Sequence, residues 1–239
     1  MEEQFSRVEL LLGAAALEKL RGSHVAILGL GGVGSWCAEA LCRTGIGELT
    51  LADQDTVSVS NLNRQAGALW STVGMEKCEA MARRLADINP NCVLHPLPYR
   101  YEADSRETFF AGQYDYIVDA IDLVSCKLDL IETAQARGIP IISALGTGNK
   151  LNPSLLEVTD LSKTQGCPLA RVVRKELRKR GIIHHKVVYS PEEAHVPTGE
   201  CGEAPPPGRR SIPASVIWVP ATAGLLLASA VAEDLIRGL

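Results

Sequence analysis

Two positively charged side chains lie downstream of a glycine-rich segment in the first third of the sequence. They are Arg64 and Lys77, and the segment runs from Gly29 to Gly34. Arginine offers a planar fork to phosphate oxygens and lysine offers a point charge, so both stabilise the negative charge that develops when a triphosphate is cleaved. A site for hydride transfer needs no such cluster. The pair therefore favours chemistry on ATP over chemistry on a nicotinamide.

The glycine-rich segment has the spacing of a nucleotide-binding turn. It follows an apolar run at 24–28 and opens an amphipathic run, which is the strand–turn–helix context that such a turn requires. Glycine allows the backbone to approach a phosphate closely, and the helix N-terminus presents N–H groups to it. By itself this pattern leaves NAD, S-adenosylmethionine and ATP as alternatives. The candidate nucleotide-binding glycines are Gly29, Gly31, Gly32 and Gly34.

Carboxylates follow two of the predicted strands. Asp53 ends the second strand, where it is placed to accept hydrogen bonds from ribose hydroxyls. Asp122 comes just after a strand at 115–119, and Mg²⁺ is usually held by one or two carboxylates together with phosphate oxygens. We therefore expect Asp122 to be the magnesium ligand. Asp119, at the end of that strand, has the alternative role of capping the helix that follows.

A third cation, Arg7, lies in the predicted N-terminal helix. We expect it to reach the crevice from a neighbouring subunit. Taken singly, Arg7, Arg64 and Lys77 are each compatible with a solvated surface charge. Their joint position at one rim of the predicted crevice favours a phosphate-binding site.

Strands and helices alternate along residues 1–150, and this alternation predicts the sheet that must position these side chains. Short apolar runs predict strands, and amphipathic runs predict helices at 5–20, 34–44, 74–88, 104–111 and 125–137. Short connections imply right-handed crossovers between parallel strands. The predicted fold class is therefore α/β, with a Rossmann-like, doubly wound and mostly parallel sheet in which residues 1–150 form the nucleotide-binding core.

Residues 151–239 are expected to form a C-terminal lobe that completes the same domain. We predict a strand at 154–160, a basic helix at 167–180, a strand at 186–189, a mobile proline-rich loop at 191–213, a terminal strand at 215–219 and a helix from 221. The uncharged run at 212–232 has the length of a membrane span, but Pro213, Pro220 and Gly224 interrupt it. We interpret it as buried core rather than as an obligate membrane segment, and peripheral membrane contact stays open.

The composition is that of a globular protein without disulfides. Of the 239 residues, 46% are apolar and 22% are charged, which excludes a disordered, collagen-like or coiled-coil chain. The seven cysteines are scattered and never spaced as CxxC, so neither a disulfide framework nor a cysteine-rich zinc site is expected. The acidic N-terminal segment lacks the features of a signal peptide, which indicates a cytoplasmic protein.

The net charge of −4 hides a basic segment at 163–186, which contains four Lys and four Arg against one acid, Glu176. Basic residues at i, i+3, i+4 and i+7 of the predicted helix share a face. A solvated face is the plainer interpretation, but two such faces in a dimer suit the backbone of a folded RNA. The candidate RNA-binding residues are Arg171, Arg174, Lys175, Arg178 and Lys179.

Together these motifs resemble the ubiquitin-activating-like (ThiF/MoeB-type) adenylating superfamily. The resemblance is carried by the glycine segment, by D-Q-D-x-V-x-x-x-N-x-N-R-Q at 53–65, by T-V-G-x-x-K at 72–77 and by I-N-P at 88–90. Within the superfamily, D-A-I-D at 119–122 and P-L-A-R-x-x-R at 168–174 resemble the branch that dehydrates threonylcarbamoyladenosine in tRNA. The resemblance spans nearly the whole chain.

The resemblance implies an ATP-dependent ligase or cyclase. Such an enzyme adenylates the threonylcarbamoyl carboxylate next to the tRNA anticodon and cyclises it with release of AMP and pyrophosphate. The resemblance also implies ATP and Mg²⁺ as cofactors, tRNA as a partner, and a homodimer, with a sulfur-relay protein as a further candidate partner. Arg64, Lys77, Asp122 and Arg7 would be catalytic. The remaining nucleotide contacts that it implies are Asp53, Asp55, Asn61, Asn63 and Gln65.

Other functions stay open at this point. A sulfur-carrier adenylyltransferase would activate the C-terminal Gly-Gly of a ubiquitin-like protein, but the missing CxxC pairs and the basic helix count against it. An NAD-linked oxidoreductase or a nucleotide-sensing module conflicts with the pair of cations. Cys167 is a candidate for a covalent relay, although a non-catalytic residue at the start of the helix is favoured. We expect His184 and His185 to form a solvated start of a strand.

Overall fold

A computed structural model describes residues 3–199 and 213–239 of the chain. These residues form a seven-stranded sheet in the order β3-β2-β1-β4-β5-β7-β6. All strand pairs are parallel except β6 with β7. The predicted doubly wound, mostly parallel α/β fold is confirmed. The strands are β1 His24–Leu28, β2 Glu48–Ala52, β3 Val93–Leu97, β4 Tyr116–Asp119, β5 Ile141–Ala144, β6 Glu157–Asp160 and β7 Lys186–Tyr189.

Helices cover both faces of the sheet, so the central strands are buried on both sides. Alternate residues of β1 show this, because Val25 and Ile27 join one apolar cluster and Ala26 and Leu28 join the other. Helices α3, α4 and α8 contribute to the first cluster and α5, α6 and α7 to the second. The helices are α1 Ser6–Leu12, α2 Ala14–Arg21, α3 Gly34–Thr44, α4 Lys77–Ile88, α5 Arg106–Phe109, α6 Val124–Ala136, α7 Pro168–Lys179 and α8 Trp218–Leu235.

The apolar C-terminal run forms one helix. The terminal strand predicted at 215–219 is wrong, because α8 begins at Trp218 and carries Pro220 in its first turn, where proline costs no helical hydrogen bond. Ala223, Leu227 and Val231 repeat every four residues and are fully buried in the cluster shared with α3. In the described parts of the chain, no helix is long and apolar enough to cross a membrane.

Several predicted element boundaries also shift. The predicted N-terminal helix is interrupted at Gly13, and the predicted strand at 154–160 begins only at Glu157, after a 3₁₀ turn. Helix α4 begins at Lys77 rather than at 74, because the backbone N–H of Lys77 donates to the Asp55 carbonyl and that of Gly74 to the Val57 carbonyl. The short helix predicted at 104–111 spans Arg106–Phe109. Residues 200–212 of the predicted loop lie outside the described residues.

Candidate active site

The glycine-rich turn lies at the point where the strand order reverses, between β1 and β4. Ligand crevices of open α/β sheets form at such a point, at the carboxyl ends of the strands. Gly29 has φ +90°, and a Cβ added there would lie 2.6 Å from the Ala120 carbonyl oxygen. Among the described residues, no atom comes within 4 Å of a Cβ placed on Gly31. The turn is therefore pressed against the β4 loop on one side and open beside Gly31.

The carboxylate of Asp53 connects the turn to β2. Its Oδ2 accepts a hydrogen bond from the Leu30 N–H at 2.6 Å, and its Oδ1 accepts one from the Asp55 N–H at 2.9 Å. Burial raises the pKa of Asp53, while the nearby Lys77 cation and these two N–H groups act in the opposite direction. Each carboxylate oxygen has a second lone pair, so Asp53 can still accept hydrogen bonds from ribose hydroxyls.

Arg64 lies directly beside the glycine turn. Its Cγ is 3.4 Å from a Cβ placed on Gly32, and Pro220 at the start of α8 approaches the same point. The Trp36 indole N–H donates to the Arg64 carbonyl at 2.9 Å, which fixes the segment to α3. Nη1 of Arg64 donates to the Ser60 carbonyl and to Oδ1 of Asn63. These bonds hold the guanidinium at the rim of the crevice.

Asn61 and Gln65 lie on the same segment and are buried, whereas Asn63 is exposed. Oδ1 of Asn61 accepts from the Ser58 N–H at 3.2 Å, and the side-chain amide of Asn63 donates to the Ser215 carbonyl at 3.1 Å. These two side chains therefore also shape the loop against its neighbours.

Lys77 is held over the same crevice by Asp55. Its Nζ lies 2.7 Å from Oδ2 of Asp55, and the Lys77 side chain is 10% exposed while that of Asp55 is 55% exposed. The carboxylate of Asp55 fixes the direction of the lysine and leaves one side of the pair open to a ligand. The structure thus brings the glycine turn, Asp53, Asp55, Arg64 and Lys77 together.

A buried ion pair lies beneath the β4 loop. Nζ of Lys127 and Oγ of Ser143 each donate to Oδ2 of Asp119 at 2.6 Å, and Asp119 and Lys127 are completely buried. Oδ1 of Asp119 accepts from the Ile121 N–H at 3.0 Å. The alternative that Asp119 caps the next helix is wrong, because the N-cap of α6 is Leu123. Asp119 instead fixes the loop that carries the exposed Asp122.

His185 extends this network. It is 3% exposed, so the prediction of a solvated strand start is wrong at this position, while His184 is exposed. Nε2 of His185 lies 2.7 Å from Oγ of Ser143, whose proton is already donated to Asp119. The histidine must therefore donate its Nε2 proton. Its Nδ1 is buried without a hydrogen-bond partner, so a second proton there would be unsatisfied and the ring is neutral. Burial, and secondarily the Lys127 cation, lower the pKa of His185 to about 3.

The sequence indicates the buried network only weakly. Lys127 follows Cys126 and precedes Leu128, Leu130 and Ile131 on α6, so the lysine stands among apolar residues, with Asp129 as the other charge in this stretch. A charged residue at a core position requires a buried partner. The identity of that partner depends on three strands and a helix that are distant in the sequence.

The basic helix α7 is exposed over most of its predicted face. Arg171, Lys175, Arg178 and Lys179 are exposed. Arg174 differs, because it is half-buried and its Nη1 donates to the Thr164 carbonyl at 2.7 Å and to the Thr164 hydroxyl at 2.6 Å. Its guanidinium therefore fastens the preceding turn to α7, in contrast to its four exposed basic neighbours.

Arg7 and Cys167 occupy separate places. Arg7 is exposed on α1, just after Phe5, which approaches Gly45 near the start of β2. This place is at the amino ends of the strands, whereas the crevice is at their carboxyl ends. Arg7 therefore does not join the crevice of its own chain. Cys167 is buried and caps α7, its Sγ accepting from the Ala170 N–H at 3.5 Å.

The fold and this crevice define a nucleotide-binding protein of the Rossmann-like class. The chain belongs to the ThiF family, whose model matches residues 4–236. It is similar to the tRNA threonylcarbamoyladenosine dehydratase of Bacillus subtilis, with 43% identity over 99% of this chain and 96% of that protein. The superfamily inferred from the motifs is thereby confirmed.

Solved structures and more distant relatives agree with this assignment. The crystal structure of the Escherichia coli tRNA N6-threonylcarbamoyladenosine dehydratase, TcdA, in complex with ATP is similar with a TM-score of 0.88 and 34% identity, over 98% of this chain and 94% of that chain. The molybdopterin-synthase adenylyltransferase of Salmonella typhimurium is 38% identical, but the match covers 53% of this chain and 50% of that protein.

The first prediction concerns the buried ion pair. In Lys127→Met the Asp119 carboxylate loses its cation, and we expect the free energy of unfolding to fall by about 3–5 kcal/mol. Urea denaturation measures this loss. As a control, Arg100→Met breaks the half-exposed pair with Glu102 and should cost less than about 1 kcal/mol. An equal loss in the two variants would contradict a special role for the buried pair.

The second prediction concerns the neutral His185. The unfolded state takes up a proton on this residue near pH 6.5 and the folded state only near pH 3. Stability should therefore decrease as the pH falls through this window, by up to about 1.4 kcal/mol per unit. His185→Gln should reduce the slope between pH 7 and 5, with part of it retained because burial also lowers the pKa of His24. An unaltered slope in His185→Gln would refute the assignment.

Proposed function

We propose that this chain is an ATP-dependent dehydratase that acts on threonylcarbamoyladenosine in tRNA. The observation that carries the proposal is the extent of the likeness to named dehydratases, which runs from the glycine turn through the basic helix to α8. The molybdopterin-synthase relative matches about half of the chain, which favours the dehydratase over activation of a sulfur carrier.

ATP would lie in the crevice at the reversal of strand order. Its phosphates would approach the open side of Gly31 and the first turn of α3, where helical N–H groups lack helical acceptors. Asp53 would accept from the ribose hydroxyls. The other proposed nucleotide contacts are Gly29, Gly32, Gly34, Asp55, Asn61, Asn63 and Gln65.

The cations of the crevice would stabilise the charge that develops on the phosphates. Arg64 lies beside the glycine turn, and Lys77 is held in place by Asp55. Mg²⁺ fits Asp122, because an exposed carboxylate on the loop that touches Gly29 offers the oxygen donor that this ion prefers. When bound there, the ion would neutralise negative charge on phosphate oxygens.

The proposed chemistry has two steps. A carboxylate oxygen of the threonylcarbamoyl group attacks the α-phosphorus of ATP, the bond to the pyrophosphate oxygen breaks, and an acyl-adenylate forms. The carbamoyl nitrogen of the same group then attacks the activated carbonyl and loses its proton while AMP leaves. Because the second step is intramolecular, effective molarities of about 10⁵–10⁸ M are accessible without an enzyme nucleophile.

A homodimer would supply the third cation. Arg7 lies near the amino ends of the strands, opposite the crevice of its own chain, so only another chain can bring this residue to the phosphates. The α1 helix also exposes Leu10 and Leu11, which are 88% and 84% accessible in one chain. Burial of such side chains favours association. A sulfur-relay protein as a further partner stays a prediction.

The third prediction tests the proposed function directly. With ATP and tRNA that carries the threonylcarbamoyl mark, we expect release of pyrophosphate and AMP. We also expect the modified nucleoside to lose one water, which mass spectrometry measures. Unmarked tRNA should give none of these changes, because the attacking carboxylate is absent. Arg64→Ala should slow pyrophosphate release by about 10³-fold or more, by analogy with arginines in phosphoryl transfer.

Two outcomes would count against this function. Pyrophosphate release that depends on a protein with a Gly-Gly tail, and not on marked tRNA, would favour the sulfur-carrier adenylyltransferase. Wild-type release by Arg64→Ala would remove Arg64 from the mechanism. Circular dichroism of Arg64→Ala separates a chemical defect from a folding defect.

The fourth prediction concerns the exposed basic face of α7. Arg171→Glu and Arg178→Glu should each weaken tRNA binding and lower the salt dependence by about 0.7–0.9 in the logarithmic slope for each lost phosphate contact. The affinity for ATP should not change. Arg83→Glu, an equal charge change on the exposed side of α4, is the matched control. Equal tRNA affinity of Arg178→Glu and Arg83→Glu would indicate that α7 is only a solvated face.

A further inference from the structure

Three side chains with metal-binding groups project from one face of the sheet, near the amino ends of its strands. His24 and Glu48 are register partners and begin β1 and β2. Glu48 and Thr50 are two residues apart on β2 and so point to the same face, and His95 on β3 is the partner of Thr50. Three adjacent strands therefore place His24, Glu48 and His95 side by side.

The donor atoms of these side chains are close together. Oε1 of Glu48 lies 2.7 Å from Nε2 of His95 and 3.5 Å from Nδ1 of His24. One ligand atom from each residue lies within 4.8 Å of the other two, and no other group of three such residues occurs in the described ranges 3–199 and 213–239. The other two histidine–carboxylate pairs in those ranges, His184 with Asp160 and His195 with Glu192, have no third ligand within reach.

The ring of His24 is fixed in the orientation that ligation requires. Its Nε2 lies 2.8 Å from the Thr50 hydroxyl and its Nδ1 lies 3.5 Å from Glu48, so a metal bound at Nδ1 would leave the Nε2 proton for Thr50. A hydrogen bond from the second ring nitrogen is the usual support of a metal-bound histidine. Tyr114 packs edge-on against the same ring at 4.9 Å and limits its rotation.

We propose that His24, Glu48 and His95 form a site for a divalent transition-metal ion of the zinc type. Two imidazole nitrogens and one carboxylate oxygen form a ligand set that Zn²⁺ accepts, with water in the fourth position. Zinc–ligand distances of about 2.1 Å place tetrahedral donors about 3.4 Å apart. The 3.5 Å between Glu48 and His24 is already close to this value, the 2.7 Å between Glu48 and His95 must lengthen, and the ligand atoms of the two imidazoles lie within 4.8 Å of each other.

Such an ion would join the first three strands of the sheet. His24 is the first residue of β1, whereas the glycine turn follows the last residue of the same strand. At ~3.3 Å per residue, the two ends of β1 are about 13 Å apart. The site is therefore separate from the nucleotide crevice, and its role would be to stabilise the β1–β2–β3 edge. This inference goes beyond the proposed function and does not depend on it.

The fifth prediction is the binding of one Zn²⁺ ion per chain. Titration calorimetry of the metal-free full-length protein with Zn²⁺ alone should give a stoichiometry of one, and the midpoint of thermal unfolding should rise with added Zn²⁺. His95→Gln and Glu48→Gln should each weaken binding by at least about tenfold, since even the loss of an outer partner has that effect. Thr50→Val should weaken binding through the released His24 ring.

Matched variants distinguish this site from adventitious binding. His184→Gln removes a histidine that also pairs with a carboxylate, and it should leave the Zn²⁺ affinity unchanged. Co²⁺ in place of Zn²⁺ should show visible absorption of nitrogen and oxygen ligands without a sulfur charge-transfer band. The absence of saturable binding, equal affinity of His95→Gln and wild type, or a sulfur band that indicates cysteine ligands would each overturn the proposal. Unfolding of each variant without metal excludes loss of the fold as the cause.

Discussion

The carboxylate of Asp53 is the point on which the geometry of the crevice depends. One oxygen holds the Leu30 N–H of the glycine turn and the other holds the Asp55 N–H, so a single side chain at the end of β2 sets the distance between the turn and the next segment. Asp55 in turn positions Lys77. A shift of Asp53 would therefore move the turn and the lysine together. Burial raises the pKa of this carboxyl group, whereas the Lys77 cation and the two N–H donors act in the opposite direction.

A second carboxylate plays the corresponding part beneath the neighbouring strand. Asp119 is fully buried and accepts hydrogen bonds from Lys127, Ser143 and the Ile121 N–H. Two buried charges are costly to desolvate, and a well-packed apolar pair is often as stable. The pair nevertheless gives the loop at 120–122 one defined position against Gly29. The two sides of the crevice are thus fixed by two aspartates, one half-buried near Lys77 and one completely buried against Lys127.

The sequence predicted the sheet well because its signals are local. Apolar runs, short connections and the glycine spacing each depend on neighbouring residues, and they were sufficient for the parallel fold and for the position of the nucleotide turn. The errors arose where distant residues decide. The strand predicted at 215–219 had the composition of a strand, but α8 packs against α3 and begins at Trp218. Arg174 has the helical position of a solvated cation, yet the turn at 161–164 captures its guanidinium.

The sequence by itself determined the class of fold, the glycine turn and the presence of Arg64 and Lys77 a short distance beyond it, since each of these follows from residue types at fixed spacing. Only the tertiary structure decided that Asp119 faces Lys127 and His185, and that His24, Glu48 and His95 share one face of three strands. The physical reason is the register between strands. Hydrogen bonding between backbones far apart in the sequence decides which side chains become neighbours, and spacing along one strand carries no information about its partner.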